Sequence, residues 1–162
     1  MKSSRVAFLG LFTAFAMILS FVESQIPTFV AIPGIKLGLP NIAIIIILYR
    51  FGWKEASIIS LLRVILTSLL FGTVLSMLYS IAGAVLSLVA MILLKKVLST
   101  VTISVIGGVC HNIGQILVAI LVTETQQLLY YLPVLIISGV IAGIVVGIIA
   151  ALSVKKIEKI DL

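Results

Sequence analysis

The chain has 162 residues, 62% of them hydrophobic and only 10% charged, with a mean hydropathy of +1.41. A water-soluble domain carries about 25% charged residues, so composition excludes a soluble fold and leaves an integral membrane protein. The net charge of +6 does not point to nucleic acid, because the basic residues flank apolar blocks, where membrane topology puts them.

The first predicted span runs from about Val6 to Phe21. It is as long as a full crossing and lacks a small-residue cleavage site, so it reads as a helix rather than a signal peptide. Gly10 and Ala14, with Ala7 below them, form a small-residue face suited to close helix contact. An external loop, about 23–40, follows. It holds Pro27, Pro33 and Pro40, which limit regular structure, yet it is apolar, so it is expected to fold back over the bundle's mouth.

The second predicted span, Leu37 to Tyr49, is 13 residues long, where about 20 are usual. Charge decides whether it crosses. With six crossings and a cytosolic N-terminus, Lys2, Arg5, Arg50, Lys54, Lys95, Lys96, Lys155, Lys156 and Lys159 are all cytosolic, and Lys36 alone is external. Without the second crossing, Arg50, Lys54, Lys95, Lys96 and the C-terminal cluster move outside, against the positive-inside rule.

The third span, about Ala56 to Phe71, carries Arg63 near its middle, flanked at helical spacing by Ser60 and Thr67. An arginine there costs about 2.5–3.5 kcal/mol on insertion scales, so it should face the interior and find a partner. Glu23, Glu55 and Glu124 fall near span ends. The expectation is that backbone carbonyls or a bound anion satisfy the guanidinium. The fourth span, roughly Val74 to Leu94, aligns Ser76, Ser80, Gly83 and Ser87 on one stripe.

The fifth span, roughly Val101 to Val122, holds the chain's one histidine. Gly107, His111 and Gln115 repeat every four residues and share a face, with Gly108 and Asn112 in the adjoining row. Glycines beside polar groups describe a cavity wall. The alternative is that these side chains join neighbouring helices by hydrogen bonds. Cys110 reads as a small packing residue. The sixth span, roughly Leu128 to Val154, steps through Gly139, Gly143 and Gly147, a face for close packing against either this bundle or a partner.

Several chemistries lack support. There is no G-x-x-x-x-G-K-[ST] motif for nucleotide, and the one aspartate lies near the chain end, so a magnesium-diphosphate site is not expected. The one histidine has no acidic partner for a triad and too few companions for a metal. No catalytic residue, metal or cofactor is therefore expected. Binding remains, with Arg63, His111, Asn112, Gln115 and Ser80 as candidate substrate contacts and Lys36 and Asn41 in the lid. Arg63 and Lys36 favour an anionic or strongly dipolar ligand, and the apolar loop favours one with an apolar part.

The segments IPGIKLGLPNI at 32–42, LLRVILTSLLFG around Arg63, SIAGAVLS at 80–87 and GGVCHNIGQ at 107–115 resemble the bacterial Gx transporter family, also labelled heptaprenyl diphosphate synthase component I. Six short spans and an apolar first loop are similar to the S components of energy-coupling-factor importers. The resemblance implies an all-α, polytopic, S-component-like bundle of six transmembrane helices, 1–162, in the bacterial cell membrane with both termini cytosolic. It implies a subunit that binds a small vitamin-type or isoprenoid-related molecule from outside and topples against a membrane coupling subunit driven by cytosolic ATPases. Ala7, Gly10 and Ala14 would make that contact, and Gly139, Gly143 and Gly147 offer a second partner face. The synthase label implies instead a noncatalytic membrane accessory of isoprenoid or quinone synthesis, or of a redox complex.

Overall fold

A computed structural model of the protein describes residues 2–26 and 37–157. These form six α-helices, with no strand among the described residues. They are α1 (Lys2–Gln25), α2 (Asn41–Arg50), α3 (Trp53–Phe71), α4 (Val74–Leu94), α5 (Thr100–Thr123) and α6 (Leu132–Ile157). A short 3-10 helix, Gln126–Tyr131, leads into α6. By length and composition, four segments suffice to cross a membrane: Arg5–Gln25, Val74–Leu94, Thr100–Thr123, and Gln126–Ile157. Six helices are present where six crossings were expected, but four meet that measure and α2 and α3 do not.

The short helix α2 is the centre of the bundle. Its 10 residues rise only about 15 Å, half the thickness of a hydrocarbon core. All seven residues from Ile42 to Leu48 are buried, and Ala43, Ile45, Ile47 and Leu48 have no exposed surface. A helix apolar on every side belongs inside a protein rather than at its boundary. The turn into α3 takes two residues, because Gly52 adopts φ +108°, a backbone conformation that side chains with a Cβ rarely tolerate.

Hydrogen bonds and charges set the helix directions. Arg5 of α1 pairs with Glu55 of α3 and lies over the Phe51 ring. Lys95, just after α4, donates to the Leu48 carbonyl of α2 at 3.2 Å. The start of α1, the end of α2, the start of α3 and the end of α4 therefore share one end, which carries Arg5, Lys54 and Lys95. At the other end, Thr73 and Ser76 cap α4 reciprocally, and Phe21 of α1 meets Phe71 of α3 with ring centroids 5.0 Å apart.

The glycines of α5 and α6 bring these two helices into backbone contact. A Cβ on Gly108 would lie 2.7 Å from the Gly139 carbonyl oxygen, one on Gly143 2.6 Å from the Val105 Cα, and one on Gly147 2.8 Å from the Val101 Cα. This corrects one expectation: Gly139, Gly143 and Gly147 are consumed inside the bundle and offer no face to a partner. The same residues that permit close approach are buried by it. The α1 face differs. Ala7, Gly10 and Ala14 are exposed, and a Cβ on Gly10 would meet nothing within 4 Å.

Candidate ligand-binding cavity

A cavity of about 590 Å³ opens at the end opposite Arg5 and Lys54, within the range of small-molecule sites. All six helices contribute to its lining. The end of α1 contributes Ser20, Glu23 and Ser24; the entry to α2 contributes Gly38, Pro40 and Asn41. The outer half of α3 supplies Arg63, Val64, Thr67, Ser68 and Phe71, and the start of α4 supplies Ser76 and Ser80. From α5 come Ser104, Gly108, His111 and Asn112, and from α6 Gly139, Ala142, Gly143 and Val146. Eight serines and threonines in the lining give hydrogen-bonding groups to a cavity whose wall is otherwise largely apolar. The α6 side of its wall is glycine, alanine and valine.

Helix geometry explains which residues reach it. On α5, Ser104, Gly108, His111 and Asn112 step by four, three and one residues and occupy one stripe. On α3, Arg63 and Thr67 are one turn apart. The Nε of Arg63 and the Oγ1 of Thr67 are buried without a hydrogen-bond partner among the described residues. Such groups are rare in folded proteins, and these two share the cavity wall, whereas the Ser87 Oγ and the Gln115 Oε1, in the same state, lie outside it. Asn112 is committed differently: its Nδ2 donates to the Leu135 carbonyl of α6 at 2.7 Å, so it joins helices as well as facing the cavity. Asn112→Ala is expected to lower the unfolding free energy by about 1 kcal/mol, as interhelical hydrogen bonds in membranes do. Titration of the purified protein with a denaturing detergent, followed by circular dichroism, measures it.

The structure brings Arg63, His111, Asn112, Asn41 and Ser80 together around one space. Gln115 is placed elsewhere. It is buried against α4, where a Cβ on Gly83 would lie 2.9 Å from its Cγ. The physical reason is helical drift: each four-residue step turns a further 40°, so Gln115 has rotated past the cavity wall. Lys36, the expected lid cation, lies outside the described residues, as does most of the loop.

One residue was missed. Arg63 was expected to lack a carboxylate, yet Glu23 lines the same cavity and acts on it electrostatically. Glu23 also accepts a hydrogen bond from the Gly38 backbone amide, which ties the end of α1 to the entry of α2. A carboxylate at a span end looks solvated in the sequence. Only the lean of α1 toward α3, with the length of an arginine side chain, brings the two together. Among the described residues no group of three His, Cys, Asp or Glu is placed to hold a metal ion.

A helical bundle with several helices of membrane-crossing length, enclosing a cavity at the end away from Arg5 and Lys54, defines a multi-pass membrane protein. The family model described as heptaprenyl diphosphate synthase component I matches residues 12–153, nearly the whole chain, and the protein belongs to that family. No curated protein and no solved structure matches it.

Proposed function

We propose that this protein is a small-molecule-binding subunit of a membrane importer, similar in role to the S components of energy-coupling-factor transporters. The observation that carries the reading is the cavity, with the Arg63 Nε and the Thr67 Oγ1 buried in its wall and without a hydrogen-bond partner among the described residues. Hydrogen-bonding capacity withheld from the fold is available to a ligand. The protein crosses six times as one transmembrane domain, with both termini cytosolic. The clustering of Arg5, Lys54 and Lys95 supports that orientation through the positive-inside rule, and it puts the cavity mouth outside. Within this bundle α2 crosses despite its length, because neighbouring helices rather than lipid surround it.

The subunit itself does no chemistry. Ala7, Gly10 and Ala14 leave a smooth exposed face on α1 for a membrane coupling subunit that cytosolic ATPases drive. The family's description as a synthase component favours a second reading, in which the protein is the membrane-bound, noncatalytic partner of a second component that makes the prenyl chain. Affinity purification of the tagged chain from mild detergent separates them. Co-purifying ATPase and membrane coupling subunits, lost on Gly10→Leu, are the expected result. Recovery of a soluble prenyl synthase in their place would overturn the importer reading.

A further inference from the structure

The cavity's charge balance bears on what it accepts. Among the described residues its lining carries two charged side chains, Arg63 and Glu23. They have opposite signs and they interact. Glu23 is not loosely placed: the Gly38 amide holds its carboxylate at the point where the chain re-enters the bundle. The remaining polar lining is made of hydroxyls, Asn41, Asn112 and His111, and the Thr67 Oγ1 has no hydrogen-bond partner among the described residues.

Resting on the reading of this cavity as a small-molecule site, we propose that it is built for a molecule with no net charge and several hydrogen-bonding groups, and that Glu23 is the specificity residue that turns anions away. An anion drawn to Arg63 would have to lie beside the Glu23 carboxylate. Beside the buried Arg63 Nε, away from bulk water, that repulsion is less screened than at an exposed surface. A cation would meet Arg63 in the same way. A neutral molecule meets neither obstacle, and a carbonyl, ether or ring-nitrogen acceptor can take the Arg63 Nε–H that the protein leaves unused. Specificity then comes as much from what the site repels as from what it attracts. The anionic ligand expected from an unaccompanied arginine does not follow once the carboxylate is in place.

The test uses the purified full chain in nanodiscs and matched probes that differ in charge: farnesol and farnesyl diphosphate, riboflavin and riboflavin 5′-phosphate, pantothenol and pantothenate. The wild-type protein is expected to bind the uncharged member of at least one pair about tenfold or more tightly than its anionic counterpart. Glu23→Gln should erase or invert that preference. It should also create a response to inorganic phosphate, a rise in melting temperature of ~2 °C or more, that is absent from the wild type and from the Glu23→Gln/Arg63→Met double variant. A wild-type preference for the anionic member overturns the proposal, whether or not the variants fold. So does a Glu23→Gln protein with unchanged preference and no phosphate response. Failure of every probe to bind the wild type and the variants overturns the cavity reading itself, and this proposal with it.

Discussion

Gly143→Leu is expected to leave almost no correctly assembled protein. The Cβ alone would stand 2.6 Å from the Val105 Cα and 3.0 Å from both the Ser104 carbonyl oxygen and the Val105 amide nitrogen. All three are backbone atoms of α5, so no side chain can rotate away, and the helices must separate. Overpacking a core costs about 1–3 kcal/mol when side chains absorb it. Here the backbone must move, and the Gly108–Gly139 and Gly147–Val101 contacts on the same seam are lost with it. A penalty of ~3 kcal/mol or more is a large part of a typical fold's stability. In a membrane the loss is not offset elsewhere, because close van der Waals contact rather than exclusion of water holds apolar helices together. Gly143→Ala should fall between wild type and Gly143→Leu. Gly10→Leu is the control, since nothing lies within 4 Å of a Cβ there. The monodisperse fraction on size-exclusion chromatography, with the unfolding midpoint of what survives, reads the series. A Gly143→Leu protein as stable as the Gly10→Leu control would show that α5 and α6 do not meet through these glycines.

The contrast between these two glycines shows what a sequence can and cannot specify. Apolar block length placed α4 at Val74–Leu94 as observed, and the four-residue glycine steps identified close-packing faces. Spacing identifies a face without naming what covers it. The Gly139–Gly143–Gly147 face is covered by α5, and the Gly10 face by nothing among the described residues. The 3-10 entry at Gln126–Tyr131 had no signal of its own, since from Leu128 its residues read as the first turn of the sixth span and no breaker stands before Pro133. In the cavity, Arg63, His111 and Asn112 were legible because a polar group at that depth is costly unless it serves something. Gln115 was misplaced because a four-residue row was read as parallel to the helix axis. Ser104 is an ordinary hydroxyl in the sequence, and only the packed α5 shows that it faces the same space as Arg63 and Thr67. Glu23 was overlooked because its depth was judged from its own span, whereas its role depends on where the Arg63 side chain reaches.

Arg63→Met is expected to abolish binding in the cavity, and the stability of the variant separates a recognition role from a structural one. The substitution removes the unspent Nε–H and the positive charge, and leaves Glu23 facing the cavity uncompensated. Removing one member of a fully buried charge pair costs about 3–5 kcal/mol. Glu23 is partly exposed and keeps its bond from the Gly38 amide, so a smaller loss of ~2 kcal/mol is expected. Adding Glu23→Gln should recover most of that stability, because an apolar replacement of a buried ionic pair is often neutral or better. It should not recover binding, since the donor that a ligand would use is gone. Arg63→Lys restores a charge but not the planar guanidinium fork, so it should regain stability more fully than affinity. Unfolding midpoints and equilibrium binding with the tightest uncharged probe, measured on the same four proteins, make the comparison. Were Arg63→Met/Glu23→Gln to bind as the wild type does, Arg63 would serve only to balance Glu23. Recovery of the fold without recovery of binding means that the bundle carries a buried arginine at a cost in stability because a ligand uses it.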